Sequence, residues 1–497
     1  MRQIFDIAAK RAELTPERTA FHEIESGRRR TYAQVEDRAN RFAETLVRLG
    51  IGRGDRIAIL CHNSATFFEI LFGCAKAGVI LVPLNWRQTP SELAPIVADC
   101  TPRLLIHDEA TADLAGRLDV ALLSFADYEA ELVKSPGQPP AEMAWPSDGI
   151  WYLLYTSGTT GKPKAVIQTF GMALANHVNV AQAIDLTGAD ATVNFLPLFH
   201  TAGINLYTIP VYLAGGTSHI LTKFDPDPVM DLLESGKLSV FFGVPAIYQA
   251  LSLHPAFDRA DLGRVRSWGC GGAPLPEALI RAFLARGVRV CNGMGMTETG
   301  PTVFLMDPDH AVAKLGSVGK PQLLSQVRLV DADGHDVARG ERGELWFRGP
   351  AVTPGYWGNP DATRNAIDDA GWLRSGDVGR QDQDGYYYIV DRIKDMYISG
   401  GENVYPAEVE DVLTNHPDVL EAAVIGIADE RWGEVGHAFI RARPGRSIDA
   451  DTVRRHARDH LAAYKVPKLV TVLDDFPRTA AGKVRKHILK AENAGQE

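Results

Sequence analysis

Cysteine is scarce in this sequence, and no two cysteines have the spacing of a redox or metal-binding motif. The 497 residues include five cysteines, with no C-x-x-C pair, at Cys61, Cys74, Cys100, Cys270 and Cys291. All five lie in apolar contexts, which favours buried, reduced thiols in a cytoplasmic protein over a disulfide framework. The 14 histidines are scattered along the chain. We therefore expect no transition-metal site built by the protein.

The sequence also lacks a long apolar run and an excess of positive charge. Its longest apolar stretch, residues 70–84, is interrupted by Lys76 and two glycines and is shorter than a membrane-spanning helix. The opening residues MRQIFDIAAKRAEL carry charges of both signs and lack the apolar centre of a secretory signal. The net charge of -10 argues against nucleic acid as a main partner. A soluble cytoplasmic protein without an integral membrane segment is expected, and its oligomeric state stays open.

Helices and strands alternate in the first part of the chain. Thr31 and Gln34 form a capping box, and apolar residues follow at helical spacing until Gly50 ends the helix. Apolar strands are predicted at 57–60, 79–84 and 104–107, with a helix at 67–77 between the first two. Continuous apolar strands that alternate with helices are typical of parallel sheets covered on both faces. A chain of this length is expected to hold more than one domain.

The same alternation returns after residue 240. Strands are predicted at 240–244, 266–269 and 288–291, with helices beginning at Pro245 and Pro276. Three glycine-rich loops, at 156–164, 269–273 and 293–295, each follow the end of a predicted strand. In open parallel sheets, ligands bind beyond the carboxyl ends of the strands. The three loops are therefore expected to form one shared nucleotide site.

From about residue 325 the chain changes to short strands with Asp/Gly turns. The segments 327–330, 343–347 and 386–390 predict a small antiparallel sheet or barrel. A compact α+β segment of about 100 residues follows. We place the boundary at 391–394, which gives an N-terminal domain of residues 1–391 and a C-terminal domain of residues 392–497.

The first of these loops is the most informative stretch of the chain. Residues 156–164 read TSGTTGKPK, directly after the apolar run WYLLY. Glycines allow backbone N–H groups to converge on anionic oxygens, while the hydroxyls and lysines add donors and charge. The glycine spacing matches neither a Walker A loop nor a dinucleotide fingerprint. Polyphosphate binding is therefore predicted for Thr156, Ser157, Gly158, Thr159, Thr160, Gly161, Lys162 and Lys164.

This string resembles the phosphate loop of the adenylate-forming superfamily, and further motifs follow in that superfamily's order. The superfamily comprises acyl-CoA synthetases, aryl-CoA ligases, luciferases and the adenylation domains of peptide synthetases. One departure is Ala165, where the family usually has glycine. The resemblance implies two parallel-type α/β sheets and a small β-barrel-like subdomain in a large N-terminal domain, followed by a small mobile α+β C-terminal domain.

By this resemblance, ATP and Mg²⁺ are bound by the glycine-rich loops. Glu298 is the implied Mg²⁺ ligand, with a possible contact from Thr156, and Thr297 contacts the α-phosphate. A second departure is Met294, where an aromatic residue usually stacks on adenine; weaker ATP affinity is a possible consequence, although a thioether can still pack against a purine. Adenine is expected to lie among Gly272, Ala273, Pro274, Asn292, Gly293, Met294, Gly295 and Met296.

Four further residues acquire roles from the resemblance. Asp377 matches the carboxylate that binds the ribose hydroxyls, and Arg392 matches the arginine that assists it. His200 matches a residue that lines the acyl pocket and gates its mouth. It is not expected to be a general base, because the substrate carboxylate is already ionised at pH 7. Lys483 matches the mobile lysine that neutralises charge during adenylation; from composition alone it is a basic residue at a helix start, which the helix dipole disfavours.

The C-terminal segment contains the motifs that the resemblance links to coenzyme A. Lys394 is the implied hinge about which the small domain rotates after adenylation. The rotation withdraws Lys483 and brings up the loop Ser399, Gly400 and Gly401, whose glycines let a thin pantetheine arm pass close to the backbone. Gly433 matches a second motif on the CoA side.

The expected function is that of an AMP-forming carboxylic acid–CoA ligase. The alternative is a stand-alone adenylation enzyme that loads a carrier protein or an amino acid, but residues 199–205 contain no acidic side chain to hold an α-amine. No arginine or lysine lies in this loop either, which argues against a dicarboxylate substrate. Aryl acids such as coumarate or ferulate and fatty acids remain equally open. The acid pocket is expected to draw on His200, Thr201, Ala202, Ile204, Asn205, Trp268, Gly269, Cys270, Asn292, Gly293, Met294 and Thr302.

Overall fold

The computed structural model describes residues 2–138, 144–157, 163–479 and 482–494. Its α-helices are α1 (Ile7–Leu14), α2 (Tyr32–Arg48), α3 (Ala65–Ala77), α4 (Pro90–Cys100), α5 (Ala112–Ala115), α6 (Phe125–Val133), α7 (Phe170–Ala183), α8 (Thr208–Ala214), α9 (Pro226–Glu234), α10 (Pro245–Ser252), α11 (Glu277–Ala285), α12 (Pro360–Ala366), α13 (Pro406–Thr414), α14 (Ala450–His460) and α15 (Lys486–Ala494).

The strands of the described residues are equally spread along the chain. They are β1 (Gln3–Phe5), β2 (Thr19–Glu23), β3 (Arg29–Thr31), β4 (Arg56–Leu60), β5 (Ile80–Pro83), β6 (Leu104–His107), β7 (Leu122–Ser124), β8 (Ala144–Pro146), β9 (Ile150–Ser157), β10 (Pro163–Thr169), β11 (Ala191–Asn194), β12 (Thr217–Ile220), β13 (Val240–Gly243), β14 (Ser267–Cys270), β15 (Val290–Met294), β16 (Phe304–Leu305), β17 (Lys320–Pro321), β18 (Gln326–Val330), β19 (Arg342–Arg348), β20 (Leu373–Gln381), β21 (Tyr387–Arg392), β22 (Tyr397–Ser399), β23 (Glu402–Val404), β24 (Val419–Asp429), β25 (Gly433–Ala442) and β26 (Leu469–Val472).

The first sheet has six strands in the order β10-β9-β5-β4-β6-β7. All neighbours are parallel except the β9–β10 hairpin at one edge. The capping box of Thr31 and Gln34 starts α2 as expected, and Gly78, with φ +69°, ends α3 in the left-handed conformation that favours glycine. Strands β4 and β6 are buried, as their continuous apolar sequence predicts.

A second parallel region lies beside the first. Strands β11-β12-β2-β3 form one sheet and β13-β14-β15-β16-β17 another. The backbone N–H of Ser239 donates to the carbonyl of Ala191, which links the two sheets edge to edge. Parallel pairing of β13, β14 and β15 brings the glycine-rich turns that follow β14 and β15 side by side.

The small antiparallel sheet and the C-terminal segment complete the molecule. Strands β18-β19-β20-β21 form the antiparallel sheet, and β23-β22-β25-β24, with β26 beside β25, form the sheet of the C-terminal segment. The predicted α/β class with a smaller α+β unit is confirmed. Among the described residues, none of the helices combines the length and the apolar character that spanning a bilayer requires.

Candidate functional site

The predicted phosphate loop lies at the tip of the β9–β10 hairpin. Ser157 pairs with Pro163 at the last described register, and the Thr156 hydroxyl donates to the carbonyl of Lys164 at 3.4 Å. The loop therefore joins two antiparallel strands at the edge of the first sheet. Its remaining predicted residues, Gly158, Thr159, Thr160, Gly161 and Lys162, lie outside the described residues.

Glu298 lies next to this hairpin, in a short 3₁₀ turn from Thr297 to Thr299. The Gln168 side chain on β10 donates to the carbonyl of Thr297 at 2.9 Å, which fixes the turn against the hairpin. Burial raises the pKa of Glu298, and a hydrogen bond from Tyr356 opposes that rise. A buried carboxylate beside a threonine hydroxyl offers the oxygen ligands that Mg²⁺ prefers.

Tyr356 is a site residue that the sequence did not reveal. Its hydroxyl donates to Oε1 of Glu298 at 2.9 Å, and Nζ of Lys164 lies 5.3 Å from its ring centroid. Burial and the negative charge of Glu298 raise the pKa of Tyr356, so the phenol stays protonated and is the donor. A tyrosine between Gly355 and Trp357 has the sequence appearance of a core aromatic, and no spacing pattern distinguishes it.

Glycines at the ends of β14 and β15 allow neighbouring backbone segments to pack closely. A Cβ on Gly271 would lie 3.0 Å from the carbonyl oxygen of Gly293, and one on Gly295 would lie 1.5 Å from that of Pro301. Neither position has room for a side chain. Met294 is partly buried and packs against the apolar cluster of the small sheet. The structure thus brings the predicted adenine residues 272–274 and 292–296 close together.

Asp377 and Arg392 face each other across β20 and β21. They are paired in register, and Nε of Arg392 lies 2.9 Å from Oδ1 of Asp377. Burial raises the pKa of Asp377, while Arg392, Lys483 and Lys394 act in the opposite direction. One carboxylate oxygen is committed to the arginine, which leaves the other for a hydroxyl donor.

Lys483 reaches into the same cleft from the C-terminal segment. Its Cε lies 3.9 Å from the position that a Cβ on Gly272 would take. Part of Lys483 is exposed to solvent, although enough protein lies around its ammonium group to desolvate it. Desolvation in that cleft lowers the pKa of Lys483 to about 8; Arg392 and Lys394 add to the lowering, and Asp377 opposes it.

The helix-start interpretation of Lys483 was wrong. Helix α15 begins at Lys486, and Lys483 precedes it in a turn in which its carbonyl accepts from the Thr479 N–H at 2.7 Å. Lys483 therefore lies outside the first turn of the helix, and the argument from the helix dipole does not apply to it. The turn, rather than a helix end, projects the side chain.

His200 lies at the start of a loop that leads into a π-helical turn from Ala202 to Leu206. Burial and the charge of Lys483 lower the pKa of His200 to about 4, so the imidazole is neutral at pH 7. Its Nδ1 has no hydrogen-bond partner among the described residues. A neutral, partly buried imidazole beside a lysine fits a wall residue better than a proton acceptor.

The expected acid pocket needs correction at Trp268, Cys270 and Asn205. Side chains alternate along a strand, and β14 turns Trp268 and Cys270 into the core around Phe241 and Phe283. The Asn205 side-chain amide is engaged in hydrogen bonds within the protein, since its Oδ1 accepts from the Tyr152 hydroxyl and its Nδ2 donates to the Thr201 hydroxyl.

The opposite face of β14 carries Gly269, which two aromatic side chains approach. A Cβ on Gly269 would lie 2.8 Å from both the Tyr207 hydroxyl and a ring carbon of Phe242. The two rings meet edge to face at 5.6 Å. Sequence reasoning missed both aromatics, although the period of two along β13 predicts the face of Phe242.

The two motifs predicted to bind coenzyme A lie together on the C-terminal segment. Ser399 pairs with Gly433, and the Gly400 N–H donates to the carbonyl of Trp432 at 2.8 Å. Ser399 is buried, whereas Gly400, Gly401 and Gly433 are exposed. It is Lys483, from another part of this segment, that reaches Gly272.

Contacts near Lys394 connect the C-terminal segment to the rest of the molecule. The Ala407 N–H, in the first turn of α13, donates to Oδ2 of Asp391 at 2.8 Å. The Arg342 guanidinium lies 4.7 Å from the ring centroid of Tyr405. Burial raises the pKa of Asp391 to about 6, while Lys486 opposes the rise. Lys394 itself is exposed between β21 and β22.

Comparison with known protein families covers most of the chain. The family model described as AMP-binding enzyme matches residues 8–357, and the one described as AMP-binding enzyme C-terminal domain matches residues 408–483. Lys394 lies in the segment between the two matches.

Named relatives are similar over nearly their full length. A feruloyl-CoA synthase of Amycolatopsis sp is 41% identical over 477 residues, which are 96% of each chain. An indoleacetate–CoA ligase of Aromatoleum aromaticum is 38% identical over 96% of this chain and 95% of its own. The long-chain-fatty-acid–CoA ligase FadD13 of Mycobacterium tuberculosis is 35% identical over 99% of each chain.

Solved structures have the same architecture. ATP-bound MatB from Rhodopseudomonas palustris superposes with a TM-score of 0.91 at 29% identity, covering 98% of this chain and 99% of its own. The o-succinylbenzoate–CoA synthetase MenE of Bacillus subtilis, in complex with ATP and magnesium ion, gives a TM-score of 0.88 at 30% identity, covering 98% of this chain and 100% of its own.

Proposed function

The chain belongs to the AMP-binding enzyme family, and we propose that it joins an aryl monocarboxylic acid of the hydroxycinnamate kind to coenzyme A. As an AMP-forming acyl-CoA synthetase, it uses ATP and Mg²⁺ and releases AMP and pyrophosphate. The observation that carries the assignment to this cleft is the position of Lys483 beside Gly272 and near the buried Asp377, whose partner is Arg392.

In the proposed first step, the acid carboxylate attacks the α-phosphorus of ATP, an oxygen–phosphorus bond forms and pyrophosphate leaves. Asp377 accepts from the ribose hydroxyls, with Arg392 holding its other oxygen. Lys483 places its positive charge where the carboxylate and the α-phosphate approach each other, which offsets their repulsion. Positioning and charge neutralisation of this kind supply most of the rate enhancement in phosphoryl-type transfers.

The residues present fit a magnesium ion bound to the nucleotide. Glu298 offers a buried carboxylate whose second oxygen is not held by Tyr356, and Thr156 offers a hydroxyl on the adjoining hairpin. Oxygen donors with few protein ligands are typical of Mg²⁺ sites that are completed by phosphates. When bound, the ion would neutralise charge on the departing pyrophosphate. Thr297 is proposed to donate to the α-phosphate.

His200 is proposed to close the mouth of the acid pocket. A neutral imidazole with a free nitrogen can donate or accept a hydrogen bond without adding charge beside Lys483. It removes no proton, since the acid enters as a carboxylate.

In the proposed second step, the C-terminal segment turns about Lys394. Lys483 leaves the cleft, and the joined loops at Ser399–Gly401 and Gly433 replace it. The CoA thiolate then attacks the acyl carbon, a carbon–sulfur bond forms and AMP leaves. Exposed glycines at 400, 401 and 433 leave room for the pantetheine arm to approach the backbone.

An aryl acid is favoured over a fatty acid by the relatives. Aromatic side chains also lie beside β14, since Gly269 and Gly271 both pack against Phe242 and Gly269 packs against the Tyr207 hydroxyl. Such side chains can make edge-to-face or offset contacts with a planar ring. Feruloyl and indoleacetate ligases are also more similar to the chain than FadD13 is. The fatty-acid relative, at 35% identity, keeps a long-chain acid as the second candidate.

Pyrophosphate release with ATP, Mg²⁺ and CoA across hydroxycinnamates, benzoates, indoleacetate and straight-chain fatty acids tests the substrate. We expect the highest kcat/KM for a hydroxycinnamate and formation of its CoA thioester. A value that rises steadily with chain length would instead assign a fatty acid. No pyrophosphate release with CoA and any acid of the panel, together with pyrophosphate exchange that amino acids stimulate, would favour the carrier-loading alternative.

A further inference from the structure

Tyr356 lies between the two groups that handle the phosphates. Its hydroxyl contacts Glu298 and its ring face lies under the ammonium of Lys164. One side chain therefore contacts the carboxylate on the 3₁₀ turn and the lysine on the hairpin at the same time.

The backbone around Tyr356 holds this position firmly. Tyr356 forms an antiparallel bridge with Val166, and the Trp357 N–H donates to the carbonyl of Ala165 at 2.9 Å. The Tyr356 N–H donates to the hydroxyl of Thr363 at 3.0 Å. The segment thus extends the edge of β10, so the phenol is fixed relative to the hairpin.

The same segment also fixes the backbone of Glu298. The Thr353 N–H donates to the carbonyl of Glu298 at 2.8 Å, and its hydroxyl donates to the carbonyl of Ile167 at 2.7 Å. Backbone and carboxylate of Glu298 are therefore both held by residues 353–356. A carboxylate with one oxygen hydrogen-bonded presents its other oxygen in a fixed direction.

We propose that Tyr356 is a positioning residue for Mg·ATP, which orients the Glu298 carboxylate through its hydroxyl and the Lys164 ammonium through its ring. The inference rests on the proposed role of Glu298 as magnesium ligand. Residues that hold a metal-binding carboxylate typically contribute about 10–100-fold to metal affinity. A cation over an aromatic face contributes about 0.5–1 kcal/mol at an exposed site, or roughly threefold in affinity.

Two substitutions separate the two contacts. Tyr356→Phe removes the hydroxyl but keeps the ring under Lys164, and Tyr356→Leu removes both. Tyr386 provides a matched control, because its hydroxyl donates to Asp307 at 2.9 Å and Lys314 lies 5.3 Å from its ring centroid. Tyr386→Phe therefore deletes the same kind of hydrogen bond outside the cleft.

Isothermal titration calorimetry with ATP, in Mg²⁺ or in EDTA, measures binding without turnover. We expect Tyr356→Phe to weaken Mg·ATP about tenfold and to leave metal-free ATP within twofold of the parent. Tyr356→Leu should weaken metal-free ATP roughly threefold as well. Tyr386→Phe should match the parent in both buffers, and thermal unfolding of each variant checks that it is folded.

A double-mutant cycle with Glu298→Gln decides whether Tyr356 acts through Glu298. We expect Glu298→Gln and Glu298→Gln/Tyr356→Phe to bind Mg·ATP equally. Parent-like binding by Tyr356→Phe, an equal loss in Mg²⁺ and in EDTA, or additive losses in the cycle would overturn the inference alone. Parent-like Mg·ATP binding by Glu298→Gln would overturn the magnesium assignment together with it.

Discussion

At the scale of single residues, the charge state of Lys483 links the structure to measurable kinetics. The lysine lies in a cleft that holds its pKa near 8, so its positive charge is lost as the pH rises through that value. A lysine that neutralises two anions is needed in its protonated form. Its titration should therefore limit adenylation on the alkaline side.

We expect kcat/KM for ATP, measured by acid-dependent pyrophosphate exchange, to fall above about pH 8. Lys483→Arg stays protonated throughout, so its alkaline limb should disappear even if its rate is lower. Lys483→Ala should lose about 10²-fold or more in adenylation rate, on the scale of other charge-stabilising groups. An alkaline limb that Lys483→Arg leaves unchanged would assign it to another group.

His200 should affect acid stability rather than catalytic pH dependence. Its pKa is lowered from 6.5 to about 4 by burial and by Lys483. Between pH 6.5 and 4 this histidine is therefore protonated in the unfolded chain but not in the folded protein. The free energy of unfolding falls as the pH drops through that range. His200→Gln should flatten that decline, by on the order of 2 kcal/mol, in urea unfolding from pH 7 to 4. A decline as steep as in the parent would show that His200 is protonated normally.

At the scale of elements, the sequence predicts where several strands lie, and the alternation of side chains along them explains one incorrect pocket residue. The predicted β6 at 104–107 coincides with the observed strand. The predicted strand 240–244 is one residue too long at its end, and 343–347 is one residue too short at each end. Their apolar runs are bounded by clear turn residues. Trp268 is expected in the acid pocket together with Gly269, but the alternation of side chains along β14 directs Trp268 into the core.

Contacts between distant segments could not be predicted from the sequence in the same way. Tyr356 meets Glu298 across 58 positions of the chain, and no local pattern encodes that pairing. The motif residues Asp377 and Arg392 could be identified because each lies in a recognisable string. Their mutual hydrogen bond follows only from the β20–β21 register.

The turn after β15 gives a prediction about an element. A Cβ on Gly295 would lie 1.5 Å from the Pro301 carbonyl oxygen, so Gly295→Ala must displace the turn that leads to Glu298. We expect a loss of at least about 3 kcal/mol in urea unfolding and no detectable ATP binding by calorimetry. Gly287→Ala is the matched control, since Gly287 has φ +75° but nothing within 4 Å of its Cβ position. It should cost about 1 kcal/mol and keep ATP binding. Equal effects of the two substitutions would contradict the crowding argument.

At the scale of the whole molecule, the observed arrangement is the one that the proposed adenylation step needs. Lys483 is in the cleft, and Asp391 accepts a hydrogen bond from the first turn of α13 across the segment that contains Lys394. The proposed rotation about Lys394 would break this contact. If that rotation separates the two steps as proposed, we expect Asp391 to favour the first half-reaction over the second.

Asp391→Ala should slow acyl-adenylate formation about threefold to tenfold, the scale of one lost intramolecular hydrogen bond. The rate of thioester formation from supplied acyl-adenylate should stay the same or rise. Asp429→Ala is the control, because Asp429 pairs with Lys468 and both residues belong to the C-terminal segment. Rapid-quench measurement of each half-reaction distinguishes the two variants. Equal slowing of both half-reactions by Asp391→Ala would mean that Asp391 only supports the fold.

The most direct test of the central claim separates the two chemical steps in the parent enzyme. Enzyme in excess over a hydroxycinnamate is mixed with Mg·ATP, quenched for acyl-adenylate by mass spectrometry, and then chased with CoA. We predict that the adenylate accumulates bound to the enzyme without CoA, and that CoA converts it to the thioester with one AMP released per thioester. Accumulation of an adenylate that CoA cannot discharge, or the absence of any adenylate with aryl and fatty acids alike, would contradict the account.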